Sequence, residues 1–466
     1  RGTELGGPYF CGYWARSPVP LGVGRTLLYA MGVEFAESRE AEGSRRALLA
    51  AGVGVGLLGL SAVGKSQAAP LKPETYWVSP AHRLLRRIHY GVTPSDVDAI
   101  AAVGFTTYLE QQLNAQTIND LVCEAEVANR FPRISMPVAT LGQDFSIDWR
   151  TIQQIGESMI YRAVNSRKQL LQRMVEFWYD HFNIHIDKAG GWLGSVYDRD
   201  VIRQHALGKF PDLLRAVANS PAMLVYLDNT ENWGDFGNIN YARELLELHT
   251  LGVDGGYTPA DIRNVQRCFS GWGMQWDSGA PDYGQFKFWE WGHSTLPKTV
   301  LGQNITPGMK SEGDQVLNIL ANHPSTARFL ARKLCRFWLN YNPPASLVDQ
   351  VAAEYTATGG DIKAMLRKIL TSANLMAAPP KYKRPWHLMM GSLRAMRATF
   401  VGEQWSLRYE HLFQAGMLPQ NWIQPDGYPD KLDFWSGLIL PRWNFALMLP
   451  QRSEERRVGK ECRSRW

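Results

Sequence analysis

Two tetrapeptides constrain the fold of this chain more than any bulk property: Thr93-Pro94-Ser95-Asp96 and Thr258-Pro259-Ala260-Asp261. In each, a threonine hydroxyl stands where a helix leaves its first amide donors unpaired. Proline follows where no N–H is needed, and aspartate sits three residues beyond the threonine. Apolar residues then recur at helical spacing: Val97, Ile100, Ala101 and Phe105 after the first, Ile262, Val265 and Phe269 after the second. The same periodicity predicts helices over about 158–185, 210–227, 241–251 and 324–339. The 158–185 helix carries a stripe of Leu171, Met174, Trp178 and Phe182, and Gly252 closes the 241–251 helix. The 324–339 helix turns Ala327, Leu330, Ala331, Leu334 and Trp338 inward, leaving Arg328, Arg332, Lys333 and Arg336 on a solvated or ion-paired face. Asn229–Asn240 and Gly271–Gly302 read as loops, with Phe286-Lys287-Phe288 as a short strand. The expected fold is mainly α. It is one large helical domain over 70–451, with aromatic-rich loops, at most a few short strands, and room for a C-terminal lobe from about 380.

Charge distribution bears on partners. The formal net charge of the 466 residues is +6, which on its face suggests an acidic partner. Residues 1–70 hold +2 of it and residues 452–466 hold +3, which leaves +1 for the body of the chain. A near-neutral body gives no footprint for nucleic acid, and no nucleic-acid partner is expected.

The ends read as segments foreign to the domain. Residues 1–30 precede the first methionine, Met31, and are expected to be a non-native upstream stretch. Arg45-Arg46, an apolar Gly/Ala-rich run from Ala50 to Val63, and the small residues around Ala68 give residues 31–69 the pattern of a twin-arginine signal peptide. The run is about 14 residues, short of the roughly 20 that span a bilayer, so no stable membrane span is expected. The expected location is periplasmic or extracellular. Residues 452–466 show no apolar periodicity and read as an artefactual tail. Of five cysteines, Cys123, Cys268 and Cys335 lie in the body without a CxxC spacing, and three buried thiols are expected.

Chemistry-bearing residues concentrate in a few places. His181 and His185 are four apart on a predicted helix, a geometry that chelates metal, but Phe182 stands where an HExxH motif has its glutamate. Both histidines also extend the apolar stripe, which favours a pocket wall. The densest polar cluster runs from Asn238 to His249. Glu244 and Glu247 share a helix face, Arg243 is placed to pair with Glu247, and His249 follows on the apolar side. Two carboxylates this close split their proton affinities and serve as acid and base. Asp228 and Asn229 end an apolar helix, and His293 lies in the tryptophan-rich loop. No Walker A motif, nucleophile elbow, EF-hand loop or haem motif is present, and no cofactor is indicated.

At these residues the sequence resembles the bacterial DUF1800 family. The resemblance is carried by His82–Arg87 with Gly91, by Phe177–Phe182, by Ser220–Asn229, and above all by Asn240–Gly252, NYARELLELHTLG. Gly256-Tyr257-Thr258 with Asp261, Gly271-Trp272, His293, and His323-Pro324 with Ala327-Arg328-Phe329 continue it. The resemblance implies an exported protein, often encoded beside a DUF1501 protein that itself looks like a sulfatase or phosphatase relative. It implies no reaction. Ile239 departs from the family run, which has glutamate there.

Three function classes follow. The first is a hydrolase of an extracellular polymer such as polysaccharide. Glu244, Glu247, His181, His249 and Asp228 would act as its catalytic pocket, and Asn229, Asn240, Tyr241, Arg243, Trp272 and His293 would contact substrate. The second is a non-catalytic envelope or assembly partner of a DUF1501 protein, in which the same cluster is a buried network. The third is a metal-dependent or redox enzyme using His181, His249 and Glu244. No metal ligand set is assigned.

Overall fold

The computed structural model describes residues 33–35, 79–400, 402 and 407–449. The expected upstream stretch, tail and leader lie outside these residues, apart from Val33–Phe35, which pairs antiparallel with Ala398–Phe400. The fold is mainly helical. Trp272–Met274 pairs with Phe286–Phe288, in the strand position expected, and Thr299–Val300 pairs with Gln303–Asn304. No helix among the described residues is long and apolar enough to cross a membrane.

Both capping signals form. The Asp96 amide donates to the Thr93 hydroxyl at 3.3 Å and the Thr93 amide to the Asp96 carboxylate at 2.9 Å. Thr258 and Asp261 repeat the exchange at 3.2 and 2.8 Å. Each starts its helix at the following proline, Pro94–Val103 and Pro259–Phe269.

The long helices are more broken than periodicity predicts. The 158–185 stretch belongs to two helices, Asp148–Asn165 and Gln169–His181. Asp120, more than forty residues upstream, accepts from the Ser166 hydroxyl at 2.6 Å and the Arg167 amide at 2.9 Å, which rewards the break. The 210–227 stretch divides into Phe210–Ala218 and Pro221–Tyr226, because Pro221 has no N–H to continue the first helix. The 241–251 helix is α only over Asn240–Glu244 and widens to a π-turn over Leu245–Thr250, where Leu251 N–H reaches back to the Leu246 carbonyl at 2.9 Å. Only Pro324–Trp338 keeps its expected length.

A single core runs through these elements, with Leu84, Met174, Trp178, Phe182, Phe210, Leu245 and Trp338 fully enclosed. Residues beyond 380 are built into it. The Pro385–Ala395 helix packs on Asp148–Asn165. Its Arg394 donates to the Gly91 and Val164 carbonyls and to Asp96. Gly91 is required by this approach, since any Cβ there would overlap the Gly391 carbonyl. Cys123, Cys268 and Cys335 are free and buried, and burial pushes each thiol up to about 12.

Candidate functional site

The residues expected to share one pocket fall into three settings. His181 ends the Gln169–His181 helix, and its Nε2–H donates to the His249 carbonyl at 3.0 Å. That bond fixes the tautomer and leaves Nδ1 as an enclosed lone pair without a partner. His249 stands on the π-turn, and neither of its ring nitrogens has a hydrogen-bond partner. The two rings lie 6.4 Å apart, caged by Phe182, Phe210 and Phe329, and each residue is 1% exposed. Burial, then the Lys333 charge, pushes His249 down to about 3, and the same causes hold His181 well below the ordinary range. Both are therefore neutral at pH 7.

Lys333 was expected on a solvated or ion-paired face and instead lies partly enclosed, its ammonium 5.4 Å from the Phe329 ring. Burial lowers it to about 8 against the opposing pull of Asp180 and Asp426.

Glu244 and Glu247 form the second setting. Both are half-buried, and neither makes a hydrogen bond or ion pair among the described residues, including with Arg243, which is exposed. Burial, then repulsion from Glu247, raises Glu244 to about 6 although Arg243 opposes the rise, and Asp426 adds to it. Asp426 belongs to a loop held by the Asn183 amide, which donates to the Trp422 and Gln424 carbonyls, and by the Tyr226 hydroxyl, which donates to Ile423. The structure thus supplies a third carboxylate to the pair from a segment 180 residues away in sequence.

The remaining expected residues lie in other surroundings. Asp228, at φ 60°, pairs with Lys188 at 2.5 Å and accepts from the Asn240 amide at 3.5 Å. Asn229 donates to the Phe269 and Trp272 carbonyls and joins Asn232 and Gln266 in a buried amide network. Tyr241 is buried against Phe269. His293 is buried between the Ser270 carbonyl at 2.8 Å and Glu312 at 3.2 Å. Trp272, expected as a stacking surface, is wholly enclosed by Phe269 and Phe286. The exposed aromatic surface lies instead on Trp291, 74% exposed and stacked on Trp233 at 4.8 Å, with Phe236 also open to solvent.

Metal-ligand grouping does not follow the third function class. Among the described residues, the group with three ligand atoms within 4.8 Å of one another is Asp120, Cys123 and Glu124, not His181, His249 and Glu244. Its carboxylates are already committed, Asp120 to Ser166 and Arg167, Glu124 to Arg162 at 2.8 Å.

One cavity of about 280 Å³ lies elsewhere, and local sequence reasoning missed it. It is bounded by the Pro80–Ile88 helix, Arg173, and the segment from Pro380 to His387. Its walls carry Arg83, Arg86, Arg87, Arg173, Lys381, Lys383 and Arg384 with one carboxylate, Asp430. Behind them Glu176 pairs with Arg384, accepts from His387 Nε2 at 2.6 Å and from the Tyr90 hydroxyl at 3.0 Å. Burial opposes ionisation of Glu176, but His387, Arg384 and Arg173 outweigh it and hold the carboxyl well below its usual range. The only sequence signal was His82–Arg87, which carried the family resemblance without any role attached.

Fold and sites together define a large helical domain with an unpaired carboxylate group, a sealed histidine pair and a cation-lined cavity. Residues 83–463 match the model of DUF1800, a protein family of unknown function, and the chain belongs to that family. No curated protein and no solved structure matches it.

Proposed function

We propose that this is an exported hydrolase of an extracellular polymer, polysaccharide first, with Glu244 as proton donor. The observation that carries the reading is the contrast between Glu244 and its paired neighbours. It is half-buried, lacks a cation partner among the described residues and is raised to about 6 beside Glu247 and Asp426. A carboxyl poised near neutrality donates a proton and recovers it, whereas an ion-paired one does neither. The proton would pass to the leaving glycosidic oxygen as the carbon–oxygen bond breaks. Water would add its oxygen to the sugar carbon and give up a proton to a second carboxylate. Glu247, three residues away on the same helix, is too close to flank the bond. Asp228 is held by Lys188, and Asp261 is spent on its cap and on the Leu301 amide. Asp426, which accepts from the Trp422 indole N–H at 2.9 Å and makes no ion pair among the described residues, would take that role. The Trp233–Trp291 stack supplies an aromatic face of the kind on which sugar rings pack. Export rests on the signal-like segment of residues 31–69.

The test is a polysaccharide and ester substrate screen of wild type against Glu244→Gln. Loss of at least about 100-fold in turnover is expected, and unchanged activity rejects Glu244 as the donor.

The buried Asn229–Asn232–Gln266 network favours a second reading, a non-catalytic assembly partner of a DUF1501-type protein. There the network would fix the 229–240 loop as a binding edge. Co-elution of the two purified proteins tests it, and separate elution at micromolar concentration counts against it.

A further inference from the structure

We propose that the cavity between the Pro80–Ile88 helix and the Pro380–His387 segment binds an oxyanion-bearing small molecule, held by Arg83, Arg87, Arg173 and Lys383. This goes beyond the hydrolase reading and does not depend on Glu244.

Cations outnumber carboxylates in the cavity wall. Asp430 is engaged by Lys381 at 2.7 Å, and Glu176 and Asp180 are engaged by Arg384. Among the described residues, Arg83, Arg87 and Lys383 have no such match: Arg83 donates to the Leu375 and Ala378 carbonyls, and Arg87 to the Pro379 carbonyl at 2.5 Å. Lys383 makes no ion pair among the described residues. Arg173 is the most telling. Its side chain is 9% exposed, its Nε has no hydrogen-bond partner, and its ion pair with Glu176, already shared with Arg384, is a long 3.9 Å. Its guanidinium lies between the Tyr90 and Phe337 rings, at 5.1 and 5.0 Å, which holds the plane in place without satisfying Nε.

Clustered like charges in a partly enclosed space repel, and buried donors left unpaired are costly. Burial and repulsion act together on the groups themselves. Burial, then Arg173, Arg83 and Arg86, lowers Arg87 to about 10, and burial, then Arg86 and Arg173, lowers Lys383 to about 8. Favourable placement at a helix C-terminus accounts for Arg86 and Arg87, the last-turn residues of Pro80–Ile88. It does not account for Arg173 or Lys383, which belong to other segments and converge on the same space. Guanidinium forks suit planar and tetrahedral oxyanions, which accept two parallel hydrogen bonds. A volume of about 280 Å³ exceeds the needs of a bare oxyanion and admits a sugar-sized unit carrying one.

The experiment uses the full chain and follows thermal unfolding and calorimetric binding. The probes are inorganic phosphate, inorganic sulfate, glucuronate and glucose 6-phosphate, each against chloride at matched ionic strength, which removes simple screening. At least one oxyanion should raise Tm in a saturable way, as a ligand bound only by the folded state must. The ranking of the four probes separates phosphate, sulfate and carboxylate chemistry. Lys383→Ala, at an exposed position, and Arg87→Gln, at a half-buried one, should each weaken the apparent affinity about tenfold while leaving Tm without probe close to wild type. The proposal is overturned if no probe exceeds chloride, or if the shift persists undiminished in both variants. Since the readout is binding, failure of polymer hydrolysis leaves this result standing, and the converse also holds.

Discussion

Glu176 and Glu244 are both glutamates on helices that turn toward the protein interior, and they end on opposite sides of the ordinary range. Glu176 is the more deeply buried of the two, yet it stays ionised because Arg384, His387 and the Tyr90 hydroxyl converge on it. Glu244 is less buried and raised to about 6, by burial first and then by Glu247 and Asp426 against the opposing Arg243. Burial alone therefore does not identify a reactive carboxyl in this fold; the sign of its neighbours does. The histidines do not divide this way: His387 has Glu176 beside it and His249 has no partner for either ring nitrogen, yet burial lowers both to about 3.

The comparison breaks most visibly at Glu176. Glu176→Gln leaves the buried Arg384 guanidinium with Asp180 alone, and loss of one partner from a buried pair costs about 3–5 kcal/mol. Equilibrium denaturation should show that loss. A change below about 1 kcal/mol would mean that the network is only a surface-like ion pair.

His249→Met is expected to act in the opposite direction. It removes two buried, unpartnered nitrogens, while the His181 bond survives because it uses the backbone carbonyl. The expected gain is about 1–2 kcal/mol at neutral pH. The pH dependence sharpens the case. A histidine held near 3 when folded and near 6.5 when unfolded contributes stability that is present above pH 6.5 and lost as pH falls toward 3. The variant should unfold less steeply with acid in that window. An unchanged acid limb would show that His249 is not the group responsible.

What could be read from the sequence divides along the same line between local and distant partners. Thr93 and Thr258 find their cap partners three residues away, so those helix starts were legible. The break at Ser166 was not, because Asp120 supplies it from another helix. The clustering of Glu244 with Glu247 was legible, but Asp426 was not. Aromatic content announced a stacking surface without saying that Trp272 would be enclosed and Trp291 open. The cavity was hidden most completely. A body charge of +1 is a sum, and it concealed the convergence of residues 83–87, 173 and 381–384 on one space.

Glu244→Gln separates reactivity from stability. A carboxyl whose folded value is raised from 4.5 to about 6 destabilises the fold once pH exceeds about 4.5, and the penalty is complete above about 6. At pH 7 the neutral amide escapes it. The full linkage is about 2 kcal/mol, and partial exposure discounts it to about 1 kcal/mol. The variant should thus be slightly more stable and inactive, the pattern of a site that trades stability for function. A variant that is both less stable and equally active would place Glu244 among ordinary structural residues.

The smallest expected effect isolates repulsion from burial. Glu247→Gln removes the second cause of the Glu244 shift and leaves the first, burial, in place. Like charges one helical turn apart oppose each other by about 0.2–0.5 kcal/mol, so Glu244 should titrate lower by a few tenths of a pH unit. Carboxyl-carbon NMR titration of Glu244 measures this directly, and the alkaline limb of any activity profile, where the proton donor ionises, should follow it. A fall all the way to the ordinary glutamate value would assign the whole shift to Glu247 and none to burial. No fall would leave burial, with Asp426, as the origin. Either result would redraw the contrast with Glu176, because it would change which neighbour makes Glu244 different.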